Sequence, residues 1–199
     1  MDAASFRARI GALAAMWPLA ALTGGPEGWW VTGGGALALH FHDFWRPLTD
    51  AAVTFCRTPL LVDTLLGSPA PPTVPWADGF RAWLVDPDAR DATFFADDSR
   101  LEEMPLSFRQ VRLAQGLWRS EARLDLIIDA ADAIRLDSRG IAYLAPELVL
   151  LAKSRQGREQ DRLDFAEAIA RLDTGPRARL AGFMPKDHPW RSITALTDH

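Results

Sequence analysis

Hydrophobic positions along the chain change period several times, and those changes mark out its elements. Phe6, Ile10, Leu13 and Trp17 recur at spacings of four, three and four, which is one face of an amphipathic helix. Arg7 and Arg9 ahead of the apolar stretch Ile10 to Leu22 give it a superficial likeness to a secretion signal. The helical face, Pro18 and a length too short to span a bilayer favour a helix packed on the domain. After the turn-rich segment Thr23 to Gly28, Trp29-Trp30-Val31-Thr32 reads as a short strand. Gly33 to Gly35 then lead into a helical run from Ala36 to Phe41, and Trp45-Arg46-Pro47 ends it. Asp50 to Phe55 reads as a second strand, with Val53 and Phe55 on one face and Asp50, Ala52 and Thr54 on the other.

Further on, Gly67 to Pro75 holds four prolines in nine residues and forms a stiff connection. Phe80 to Val85 and Ala92 to Ala96 read as short strands, and Leu106 to Trp118 and Arg123 to Asp129 as extended segments. The last third is helical. Pro146 fits the first turn of a helix running to Lys153. The polar connection Ser154 to Glu159 leads to a helix over Arg162 to Leu172, Gly175-Pro176 breaks it, and a further helix covers Arg177 to Phe183. The expectation is an α/β (α+β) fold: a mixed sheet flanked by helices over residues 1–140, with a small helical subdomain, 141–199, packed on it.

Composition narrows the function classes more than the fold. The chain has 199 residues, 48% hydrophobic and 24% charged, enough for one well-buried domain with a helical appendage. A formal net charge of -4 and the lack of a long basic run speak against nucleic acid or anionic membrane as partners. The single cysteine, Cys56, forms no internal disulfide and fits a reducing, cytoplasmic location; its apolar neighbours make it a core residue.

Candidate chemistry gathers around the first glycines. Two glycines between a strand and a helix let the backbone approach a ligand without Cβ interference, and the helix's first N–H groups favour a phosphate oxygen. A plain turn is the alternative. His40, His42 and Asp43 are thin support for a metal site, and a solvent-facing or capping role suits them better. Trp29, Trp30 or Trp45 could stack a base or sugar. Glu147 and Lys153, six apart on one helix, could contact phosphates or form ion pairs. Asp97, Asp98, Glu102 and Glu103 could line an acidic cleft or form a solvated loop.

Several motifs point further. Gly33, Gly34 and Ala36, followed after one helix by Arg46, Asp50 and Val53, resemble the paired motifs of nucleotidyltransferases related to aminoglycoside 2''-adenylyltransferases. Gly140-Ile141-Ala142-Tyr143-Leu144-Ala145-Pro146-Glu147, Leu150-Leu151-Ala152-Lys153, Asp161-Arg162-Leu163-Asp164-Phe165 and His188-Pro189-Trp190 resemble later motifs of that family, in order. The likeness covers about Trp29 to Val53 and Trp118 to Leu196. It implies a nucleotidyltransferase-like fold and Mg²⁺-dependent transfer of a nucleoside monophosphate from ATP, or another nucleoside triphosphate, to a small hydroxylated, aminoglycoside-like acceptor. It implies Thr32, Gly33, Gly34 and Arg46 for the nucleotide and Asp50 for the metal.

Such chemistry uses two aspartates at i and i+2 on one strand to grip the ions, and a third carboxylate on a neighbouring strand. Asp125 is the candidate for that third position, as metal ligand and catalytic base; an exposed residue on an edge strand is the alternative. The second position is Ala52, which offers no oxygen. Leu48, Gly35 and Ala38 stand where the family has histidine, tryptophan and aspartate, and Gln160 replaces a lysine. Asp43 or Asp129 is an alternative source of carboxylate oxygen. The pattern implies either a transferase weakened by the loss at Ala52 or an inactive relative that binds a nucleotide or a partner.

Overall fold

The computed structural model describes residues 8, 11, 12, 24–26, 28–43, 45–48, 50–68, 77–86, 88–95, 105–111, 116–120, 123 and 125–195. The expected helix over Phe6 to Trp17, most of the proline-rich connection and the acidic stretch from Asp97 to Glu103 lie largely or wholly outside these residues.

Six strands form a mixed sheet in the order β3-β4-β2-β1-β8-β7. They are β1 (Trp29–Val31), β2 (Ala51–Cys56), β3 (Asp91–Phe95), β4 (Pro105–Val111), β7 (Ile134–Leu136) and β8 (Ala142–Leu144). The remaining two, β5 (Leu117–Arg119) and β6 (Ile127–Asp129), pair as a separate antiparallel ribbon. Within the sheet β2 lies antiparallel to β1 and parallel to β4, and β1 lies parallel to β8. The helices are α1 (Gly33–Phe41), α2 (Pro59–Gly67), α3 (Ala77–Val85), α4 (Ala130–Ala133), α5 (Pro146–Ser154), α6 (Glu159–Arg171), α7 (Thr174–Phe183) and α8 (Pro189–Ala195). The fold is therefore the expected α/β type. No helix among the described residues is long and apolar enough to cross a membrane.

Two positive-φ residues bracket the first helix. Gly33 has φ 60° at its start and His42 φ 54° at its end, so α1 is entered and left through left-handed backbone. The helix buries Leu37 and Leu39 fully and packs against α5 and α6. One hydrophobic cluster takes in β1, β2, α1 and the helices beyond position 140.

Three expectations about local structure change. Residues 80–85 are helical: Phe80, Trp83 and Leu84 fall on one face of α3 and are buried against Phe55 and Phe108. Six residues, five of them apolar around Arg81, carry too little periodicity to separate strand from helix. Leu126 N–H donates to Arg123 O (2.9 Å), which closes a turn ahead of the strand, and among the described residues of this segment only Ile127–Asp129 is strand. Gly175 and Pro176 lie in the first turn of α7, where a missing N–H leaves no intrahelical bond unmade.

Candidate functional site

The sequence pairs β2 with β4 and β4 with β3, and that register decides what faces the main cleft. Ala52 lies beside Ser107, and Ser107 beside Thr93. One row further along, Thr54 lies beside Arg109, and Arg109 beside Asp91. Side chains in register across neighbouring strands share a face. All six line a cleft of about 410 Å³, within the usual range for small-molecule sites, about 300–1,000 Å³. Thr32 and Gly33 border it at the start of α1, Asp50 at the entry to β2, Trp118 and Arg119 from β5, and Lys153 and Arg158 from α5 and the turn after it.

Thr32 does not cap α1 with its side chain; its hydroxyl donates to Ala52 O instead (3.4 Å). That bond ties the helix start to β2. No acidic residue occupies the first turn of α1, so the positive end of the helix dipole is not neutralised there.

Behind the cleft lies a buried charge network. Asp164 accepts from Arg46 Nε (2.7 Å), Arg46 Nη2 (2.6 Å) and Trp45 Nε1 (2.9 Å). Lys153 Nζ sits 2.7 Å from Asp161 Oδ1 and 2.9 Å from Asp164 Oδ2, and Arg158 Nε donates to Asp161 Oδ2 (2.8 Å). Desolvation pushes both carboxyls up, but hydrogen bonds from Arg46 and Lys153 to Asp164, and from Arg158 and Lys153 to Asp161, outweigh it and hold both below the usual range. Hydrogen bonds to Asp164 and to Asp161 raise Arg46 and Arg158, respectively, above the usual arginine value against the pull of burial, and Asp50 adds a smaller contribution to both.

The candidate residues divide between these two regions. Thr32, Gly33 and Asp50 line the cleft together, with Ala52 beside them. Arg46 instead turns its guanidinium onto Asp164, and Gly34 lies against it: a Cβ on Gly34 would meet Leu48 Cδ2 at 2.7 Å and Arg46 Nη2 at 2.8 Å. The second glycine is thus explained by packing. Asp125 is not among the cleft-lining residues. Its carboxylate is 69% exposed and takes both Arg123 Nε (3.0 Å) and Nη2 (2.5 Å). The strand beside β2 that brings residues to the cleft is β4, so the neighbouring-strand position belongs to Ser107 or Arg109.

The alternative carboxylates are also engaged elsewhere. Asp43 pairs with Arg171, and Asp129 caps α4 by accepting from Ala131 N–H (2.8 Å). Glu147 Oε1 accepts from Arg179 Nε (3.0 Å) and Nη2 (2.6 Å), an ion pair away from the cleft. His40 Nδ1 lies 3.2 Å from the Tyr143 hydroxyl.

Sequence reasoning missed Ser107, Arg109 and Asp91, which only strand pairing brings to the cleft through β4 and β3, and Trp118, which reaches it from the separate β5–β6 ribbon. Alternation of apolar Leu106 and Phe108 with polar Ser107 and Arg109 along β4 was a local signal, and the burial pattern follows it. Mg²⁺ takes six oxygen ligands at about 2.1 Å, and among the described residues no group of three His, Cys, Asp or Glu side chains could hold a metal ion. The donor set around Asp50 does not fit the ion that the motifs imply. No family model, curated protein or solved structure matches the chain, and the reading of the site rests on its own residues and their geometry.

Proposed function

We propose that the chain is a nucleotide-binding module on a nucleotidyltransferase-like frame, silent as a transferase. The observation that carries this reading is the face of β2 and β4 turned to the cleft. Asp50 leads into β2, Ala52 lies beside Ser107 and Thr54 beside Arg109, where metal-dependent transfer needs further carboxylates. The cleft has the size for a nucleotide, Gly33 keeps one wall open, and Trp118 supplies an aromatic ring. A cytoplasmic location accords with the buried lone thiol of Cys56.

A second reading keeps the chain an enzyme that moves a nucleoside monophosphate to a small hydroxylated, aminoglycoside-like acceptor. It is favoured by Asp50 and Gly33 sharing one cleft. The two readings separate in one assay: the protein with ATP or GTP, Mg²⁺ and a panel of hydroxylated acceptors, with nucleotide binding followed in parallel by calorimetry. The expected result is binding without nucleotide consumption. Mg²⁺-dependent consumption with any acceptor establishes the enzyme instead, and absence of binding with and without Mg²⁺ rejects both. Ala52→Asp, which restores the second carboxylate, is expected to raise Mg²⁺ affinity at least tenfold, as one added charged ligand is worth about 1.5 kcal/mol or more.

A further inference from the structure

Resting on the nucleotide-binding reading, we propose that this cleft takes its nucleotide without a divalent cation, protein cations meeting the phosphate charge directly. Among the described residues, four cationic side chains line it, Arg109, Arg119, Lys153 and Arg158, against two carboxylates, Asp50 and Asp91. Two of the cations are built into the wall. Lys153 is buried and gives two of its three donors to Asp161 and Asp164, which fixes the ammonium at the cleft edge with one donor still to place. Arg158 is held by Asp161 on the same side.

Arg109 decides the matter. By register it occupies the row next to Ala52 and Ser107, on the strand where a metal-dependent site of this layout needs its third carboxylate. A guanidinium there repels a divalent cation and offers planar, paired N–H donors to a phosphate. Its ion pair with Asp91 (2.5 Å) joins side chains 43% and 61% exposed, the kind that holds its partners weakly. The ligand class is a free nucleoside phosphate, whose uncomplexed di- or triphosphate carries more negative charge than its magnesium complex.

Calorimetry of the full chain with ADP, in EDTA and again in excess MgCl₂, tests this without any variant. Binding in EDTA that weakens several-fold on adding Mg²⁺ is the expected result. Binding that appears only with Mg²⁺, or is tenfold tighter with it, overturns the proposal and leaves the nucleotide reading standing. No heat from AMP, ADP or ATP in either buffer removes both. As a second arm, Arg109→Ser is expected to weaken ADP binding in EDTA about tenfold or more, and Arg109→Lys to recover part of the loss. A serine variant that melts like the parent and binds ADP equally well also overturns it.

Discussion

Single residues in this protein do different work from what their motif positions suggest. Gly34 adjoins the cleft-lining Gly33, yet the space its missing Cβ leaves is taken by Leu48 and Arg46. Gly34→Ala is therefore expected to destabilise the fold by about 1–3 kcal/mol through overpacking, read as a lower urea midpoint at unchanged slope. Asp164 takes Arg46, Lys153 and Trp45 while its side chain is 2% exposed. Asp164→Ala leaves Arg46 without its carboxylate and Lys153 with Asp161 alone, and should cost about 3–5 kcal/mol. Because the folded carboxyls of Asp161 and Asp164 lie below their ordinary value, the folded state binds fewer protons there than the unfolded chain. Their contribution is complete above the unfolded pKa of about 4 and is lost as pH falls through the folded values beneath it. Denaturant titrations between pH 5 and pH 3 should show stability falling for the parent and a shallower fall for Asp164→Asn.

At the scale of elements, α3 shows where local patterning gives out. Phe80 meets Phe55, Trp83 and Phe108 with ring centroids 5.4–5.7 Å apart, so the helix closes the core on the β2–β4 side. Phe80→Ala is expected to cost about 3–5 kcal/mol, measured by thermal or denaturant unfolding. A helix of nine residues with Phe80, Ala82 and Leu84 at alternate positions reads equally well as a strand, and only the packing partners decide. The same limit explains Asp125: its neighbours are apolar and β-branched, but the Arg123–Asp125 pair and a closed turn hold it in solvent. Helices with stronger signals were legible in sequence. Pro146 at the first turn of α5 and the periodic Asp161, Asp164, Phe165 and Ala168 of α6 put both helices within a few residues of where they lie.

Over the whole molecule, the C-terminal motifs converge. Trp190 stacks on Phe165 at 4.1 Å and 14°, and His188 Nε2 lies 3.3 Å from Ser154 O, so α8 docks on α6 and the end of α5. Trp190→Ala should cost at least the roughly 0.5–1.5 kcal/mol of a buried ring pair, and limited proteolysis should then cut within α8 before the rest of the chain. Lys153, Asp161, Asp164 and Arg46, spread over more than a hundred residues, meet in one charge network, and of these Lys153 also lines the cleft. The sequence by itself determined the α/β class, the strand–glycine–helix–strand unit from Trp29 to Phe55, the helical last third and the absence of a carboxylate at Ala52. Each of these rests on period, on glycine or proline geometry, or on side-chain identity, which are properties of neighbouring residues. Only the tertiary structure decided that β4 lies beside β2, that Arg109 and Ser107 stand where Asp125 was expected to serve, and that Arg46 and Gly34 belong to the packing behind the cleft. Strand order and buried ion pairs join residues far apart in the chain, and no local pattern encodes which of them will meet.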